Sequence, residues 1–344
     1  MRREVRARPW GDFTMLTRTH PHARRRTSTH IDRWTAALLT CLSVACLASA
    51  GTAQASSFRF GLSDYEPNTF SDPRVAQLGV HLAREVVPWN VALNRRDLAN
   101  VTAWLNAVKH AYHITPFITF QHADNNDRAP SPGQFLHAFL RFRKLFPWVT
   151  EFAPWDEATH ITQPTAHNPR LAARYYNVLA AHCPGCEVTA PDILDSDGNT
   201  VAWIASFLQT AHPYPKIWPY NPYHSVSVNS SALIESFLAA TRGQVWFSEV
   251  GGVVWWRFKG KLIYHGPAYS AKVARNIFAL TALSPRIARV YYYHWRSPGS
   301  PYKLSRKVTW DAGLIDAYGK ARPALAVLAQ ALHRHIQKSI PKIF

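Results

Sequence analysis

The sequence is short of acid. It carries 21 Asp and Glu against 39 Lys and Arg, a formal charge of +18, and charged residues make up only 17% of it. So little acid excludes an acidic, disordered chain. It also makes any carboxylate set inside an apolar run conspicuous. Only two methionines and four cysteines occur among 344 residues. That excludes a Met-rich adaptable surface and a dense disulfide scaffold. No Gly-rich phosphate loop is present, and no strand-to-helix elbow presents a serine nucleophile. No Pro/Gly/Ser-rich linker and no short-period repeat divides the chain.

The first segment reads as a signal and not as fold. Residues 1–33 are rich in arginine, with Arg24, Arg25 and Arg26 in a row. Trp34 to Ala50 is mostly apolar and uncharged, and Ala53-Gln54-Ala55 follows a small-x-small cleavage pattern. This predicts a secretory signal over residues 1–55, cut before Ser56. The alternative is a retained anchor, for which the apolar run is short. Cleavage removes nine Lys/Arg and three Asp/Glu and leaves a charge of +12. No remaining Lys/Arg cluster exceeds two adjacent residues, so the charge reads as general surface charge and no nucleic-acid partner is expected. The mature chain is expected to be secreted, monomeric and not inserted in a membrane. Cys183-Pro184-Gly185-Cys186 lacks a second cysteine pair to complete a metal site. In an exported chain that spacing predicts a small structural disulfide between Cys183 and Cys186.

Residues 56–344 alternate short apolar runs with longer amphipathic ones. Strands are predicted at 58–62, 81–88, 114–120, 149–155, 187–193, 216–223, 244–249 and 287–294. Helices are predicted at 73–78, 95–112, 132–146, 169–182, 200–211, 231–241, 268–283 and 323–335. Eight strand–helix units imply parallel strands joined by right-handed crossovers. The count and length are those of a single (β/α)8 TIM barrel, typically ~250 residues, whose site lies at the C-terminal ends of the strands.

Two of those strands end on carboxylates: Phe152-Ala153-Pro154-Trp155-Asp156-Glu157 and Val245-Trp246-Phe247-Ser248-Glu249-Val250. Desolvating a carboxylate is costly, so its place at the end of an apolar strand calls for a function. A pair of them is what cleavage of a glycosidic bond uses, one as proton donor and one as nucleophile or base. His122, Asp124 and Asp127 lie together after the third strand, but no ligand pattern supports a metal there. No metal and no cofactor are expected.

These motifs, in this order, resemble the retaining (β/α)8-barrel glycoside hydrolase clan, the cellulase-like superfamily. The resemblance covers nearly all of residues 56–344. It implies a hydrolase that cleaves β-linked poly- or oligosaccharides with retention, with Glu157 as acid/base and Glu249 as nucleophile. It also implies that Arg84 anchors Glu249, that Tyr223 in Asn221-Pro222-Tyr223 orients it, and that Trp295 in Tyr293-His294-Trp295 is a floor beneath the sugar. Trp89, Asp156, Asn221 and His294 join the expected substrate-binding set, with Trp255 or Trp256 as further stacking candidates. Two departures stand out. The clan usually has asparagine where Asp156 stands and often histidine where Asn221 stands. An ionised aspartate accepts hydrogen bonds but donates none. A barrel that binds carbohydrate without cleaving it is therefore the alternative reading.

Overall fold

The computed structural model describes residues 58–334, apart from 112, 124–127, 196–198, 259 and 304–309. The expected signal and Asp124 and Asp127 lie outside the described residues.

The strands are β1 (Arg59–Ser63), β2 (Leu82–Pro88), β3 (Thr115–Gln121), β4 (Glu151–Ala153), β5 (Glu187–Val188), β6 (Ile193–Leu194), β7 (Ile217–Asn221), β8 (Gln244–Val250), β9 (Trp255–Phe258), β10 (Lys261–Tyr264), β11 (Ile287–Tyr293) and β12 (Trp310–Asp311). The α-helices are α1 (Pro73–Gln77), α2 (Arg95–His110), α3 (Pro132–Leu145), α4 (Pro169–His182), α5 (Thr200–Leu208), α6 (Tyr223–Val228), α7 (Ala232–Ala240), α8 (Pro267–Thr281) and α9 (Pro323–Ala331). Nine strands form one parallel sheet in the order β5-β4-β3-β2-β1-β11-β8-β7-β6. Its two outermost strands are parts of one segment. Thr189 N–H donates to Phe152 O, and the next residue, Ala190, donates to Ile217 O, each at 2.9 Å. Residues 187–194 thus pair with β4 at one end and β7 at the other, and the ring of eight closes as a (β/α)8 barrel.

The period of two sorts the side chains. One parity points to the helices and builds the main core: Phe60, Leu62, Ile118, Phe120, Phe152, Phe247, Val290 and Tyr292 are all buried there. The other parity fills the barrel in layers. Lowest is the buried pair Glu151–Arg289, whose guanidinium lies 3.7 Å from the Trp246 ring centroid. Above it pack Leu82, Phe117, Ala153, Ile217, Trp246 and Tyr291. Arg84, Thr119 and Ser248, two residues further along their strands, and Asn221, four beyond Ile217, form a buried polar layer under the C-terminal mouth. Gly61 keeps the wall close: a Cβ there would come within 2.6 Å of Leu82.

Three local departures from the sequence reading have physical causes. The predicted fifth strand is interrupted at Pro191, which has no N–H to donate. Residues after β7 turn into α6, because Asp195 accepts from the N–H groups of His224 and Ser225 and caps that turn. Between the predicted strand at 244–249 and the predicted helix at 268–283 lies an antiparallel hairpin, β9–β10, to which β12 adds. Cys183 and Cys186 form the expected disulfide, with S–S 2.00 Å, where α4 turns toward β5. Among the described residues no helix is long and apolar enough to cross a membrane.

Candidate active site

Arg84 organises the mouth. It is fully buried on β2, and its guanidinium serves three carboxylates. Nη1 donates to Glu249 Oε2 at 2.6 Å, and Nη2 donates to Asp156 Oδ1 at 2.6 Å and to Asp192 Oδ2 at 2.9 Å. Nε donates to Thr119 Oγ1 at 3.1 Å, and Nη1 also reaches Ser63 Oγ at 3.2 Å. Burial opposes the charge of Arg84, but Asp192, Asp156 and Glu249 outweigh it and raise its pKa further. A planar fork with five donors suits this task; a lysine ammonium could not span it.

Glu249 accepts three hydrogen bonds. Besides Arg84, Ser63 Oγ donates to Oε2 at 3.3 Å and Tyr223 OH donates to Oε1 at 3.1 Å. Burial pushes the Tyr223 phenol well up, with Glu249 adding to the shift, so the hydroxyl keeps the proton it donates. The register of β8 against β11 explains how Glu249 arrives. Val290 pairs with Phe247, but Tyr292 pairs with Val250, so β8 has one extra residue between them. That bulge lets Ser248 and Glu249, neighbours in sequence, both face the barrel interior.

Glu157 has different surroundings. It sits in the loop after β4 at φ 41°, the left-handed region that costs a non-glycine residue energy and is common at functional positions. Among the described residues its carboxyl has one hydrogen-bond partner, Asn221 Nδ2, at 3.3 Å from Oε1. Burial, then the negative charges of Asp156 and Glu249, push its carboxyl well above the usual range; the Asn221 bond and Arg84 oppose this and lose. Asp156 is raised to about 7. Burial is the largest cause, and Asp192 and Glu249 add to it against the pull of Arg84. Burial and mutual repulsion thus favour the protonated form at both Glu157 and Asp156.

Of the expected site residues, Glu157, Glu249, Arg84, Asp156, Asn221 and Tyr223 come together in one network. Trp295 does not. It is fully buried, its N–H donates to Asp64 Oδ2 at 2.7 Å, its Nε1 donates to Asp72 Oδ2 at 3.1 Å, and Arg74 lies over its ring. An indole enclosed on all sides offers no face to a sugar, so the floor assigned to it is corrected to a structural anchor. Trp255 is likewise buried, against Arg257. Trp89 is half-buried and packs against the main core, outside the carboxylate network. His294 accepts from Ala312 N–H at 3.2 Å and pins the segment after β12. His122 meets Gln163 at 3.2 Å, and no group of three or more metal-ligating side chains occurs among the described residues.

Sequence reasoning missed Asp192, Ser63, Thr119 and Ser248. Asp192 follows an apolar run in the same way as Glu157, and that signal could have found it. It also missed the aromatic rim. Tyr65, 43% exposed, meets Tyr293 edge-on at 5.7 Å, and Trp310 meets Tyr223 edge-on at 5.5 Å.

The (β/α)8-barrel fold is similar to that of solved glycoside hydrolases. No family model matches the chain, and no curated protein matches it in sequence. Solved structures match it in fold. GH5_18 from Streptomyces cattleya in complex with GlcNAc is 16% identical, with TM-score 0.58 and 83% of each chain covered. Xylanase 10B from Thermotoga petrophila RKU-1 in complex with xylobiose is 10% identical, with TM-score 0.55, covering 82% of this chain and 95% of that one. A GH10 endoxylanase from a sugarcane soil metagenome is 12% identical, with TM-score 0.53, covering 80% and 97%.

Proposed function

We propose that the protein is a glycoside hydrolase that cleaves β-linked glycans with retention. The observation that carries this is the contrast between two carboxylates at one barrel mouth. Glu249 accepts from a guanidinium, a phenol and a serine hydroxyl. Glu157 has one weak donor and two negative neighbours, which push its pKa up. Environments that drive two carboxyls apart assign the acid and the nucleophile. In this reading Glu157 protonates the departing oxygen while Glu249 attacks the anomeric carbon and forms a glycosyl-enzyme. Glu157, now ionised, takes a proton from water, which attacks the same carbon and releases Glu249. Sugars bound to the structural neighbours and the tyrosine-rich rim support a carbohydrate substrate. Residues 1–55 fit the same role as an export signal for an enzyme that meets its polymer outside the cell.

Reducing-end release from a panel of β-linked polysaccharides tests the activity. Hydrolysis by the natural chain that disappears in Glu249→Gln supports it, and proton NMR of the first anomer released reads the stereochemistry. A chain that binds a glycan on the panel but cleaves none would refute the proposal.

A further inference from the structure

We propose that Ser248 and Asp192 fix the direction of the Asn221 amide so that its carbonyl faces Glu157, which favours the protonated form of that acid. The proposal rests on the reading of Glu157 as the proton donor.

The argument is a count of hydrogens. Ser248 Oγ lies 2.5 Å from Asp192 Oδ1 and 2.8 Å from the Asn221 amide oxygen. All three side chains are fully buried, so water does not share the duty. A hydroxyl has one hydrogen and can donate to only one of these oxygens. Asp192 is the ion-pair partner of Arg84 through its other oxygen, at 2.9 Å, and enters the chain as a carboxylate. A contact of 2.5 Å between a hydroxyl and a carboxylate is the length of a charge-assisted bond, and without a hydrogen it would be strongly repulsive. The Ser248 hydrogen therefore goes to Asp192.

That leaves the 2.8 Å contact with Asn221 in need of a donor. The amide supplies one by a half-turn about its last bond, which exchanges nitrogen and oxygen without changing its shape. The NH2 group then donates to Ser248 Oγ, and the carbonyl faces Glu157 Oε1 at the 3.3 Å now spanned. Two bare oxygens repel there, so the contact is satisfied only when Glu157 carries the proton. Glu157 thus donates to Asn221, Asn221 to Ser248 and Ser248 to Asp192, where Arg84 donates from the other side, and the negative charge on Asp192 favours the proton on Glu157. The other groups facing Glu157 are Asp156, Glu249, Arg84 and Tyr223. Asp156 and Glu249 favour the same protonated form, Arg84 opposes it, and none of them changes when Ser248 is altered. Ser248, Asp192 and Asn221 are positioning residues in this scheme.

The test is Ser248→Ala, which changes no charge. The free amide can then turn its NH2 to Glu157 and stabilise the ionised form. The pKa of Glu157 should fall by about one unit, a roughly tenfold shift in its proton equilibrium. Two readouts apply: the alkaline limb of kcat/KM, and the infrared carboxylic C=O band that Glu157→Gln identifies. Asp192→Asn should shift both in the same direction, because its amide donates to Ser248 and reverses the chain. If Ser248→Ala folds and the band titrates where it did before, the proposal is wrong. If Ser248→Ala does not fold, neutron diffraction of the natural chain decides. Deuterium on the Asn221 atom facing Ser248 supports the scheme, and deuterium on the atom facing Glu157 overturns it. A shifted band without hydrolysis would refute the glycosidase reading and leave the chain of bonds standing; hydrolysis with an unshifted band would do the reverse.

Discussion

Replacing Arg84 by methionine removes the one cation that three buried carboxylates share. Asp156, Asp192 and Glu249 each lose a bond of 2.6–2.9 Å. The side chains of Asp192 and Glu249 are 0% and 11% exposed, so water cannot replace the guanidinium. Breaking a buried ion pair by removing one partner costs about 3–5 kcal/mol. For a chain of this size that lowers the melting temperature by roughly 6–20 °C, at about 2–4 °C per kcal/mol. The loss has a definite sign with pH. Unpaired buried carboxyls have folded pKa values above their unfolded ones. Their stability contribution is intact below the unfolded values and is lost as pH rises through the folded ones. Asp156 shows this sign even with Arg84 present, moving from 3.8 to about 7. Arg84→Met should therefore lie closer to the natural chain near pH 4.5 than at about pH 7.5. Urea unfolding of both proteins at the two pH values measures it. A variant within about 1 kcal/mol of the natural chain at the higher pH would refute the claim that these charges are desolvated and mutually dependent.

Three further outcomes are expected. Asp156→Asn removes a negative neighbour that raises Glu157; the acid then loses its proton at lower pH, and the alkaline limb of the rate profile moves toward acid, as initial rates across pH will show. Trp295→Ala should cost about 3–5 kcal/mol in stability and leave KM of the folded enzyme unchanged, whereas Tyr65→Ala on the rim should raise KM with little loss of stability; the opposite split between calorimetry and kinetics would restore Trp295 as a sugar platform. Expression in an exporting host should yield a chain beginning at Ser56, read by intact mass, and a product retaining residues 1–55 would argue for the anchor instead.

How much was legible follows from the range of each signal. The Cys183–Cys186 bridge was readable because its partners are three residues apart. Glu157 and Glu249 could be singled out because each is a carboxylate at the end of an apolar strand, and Arg84 through the resemblance to the glycoside hydrolase clan. Trp295 was misplaced because a tryptophan after a strand has the same local pattern whether it faces a cleft or a buried Asp64–Asp72 pair. Asp192 was passed over because the value of its carboxylate comes from Arg84, 108 positions earlier.

By itself, then, the sequence determined the barrel. Period-two alternation, helical spacing and eight strand–helix units are local patterns, and burial of apolar faces leaves few ways to assemble them. The tertiary structure alone decided the active-site wiring. The bulge that turns both Ser248 and Glu249 inward, the carboxylates gathered on one guanidinium, and the amide that links Ser248 to Glu157 depend on register and on contacts between distant strands. Hydrogen bonds and charges act over a few ångströms, so their partners are fixed only when the ring has closed.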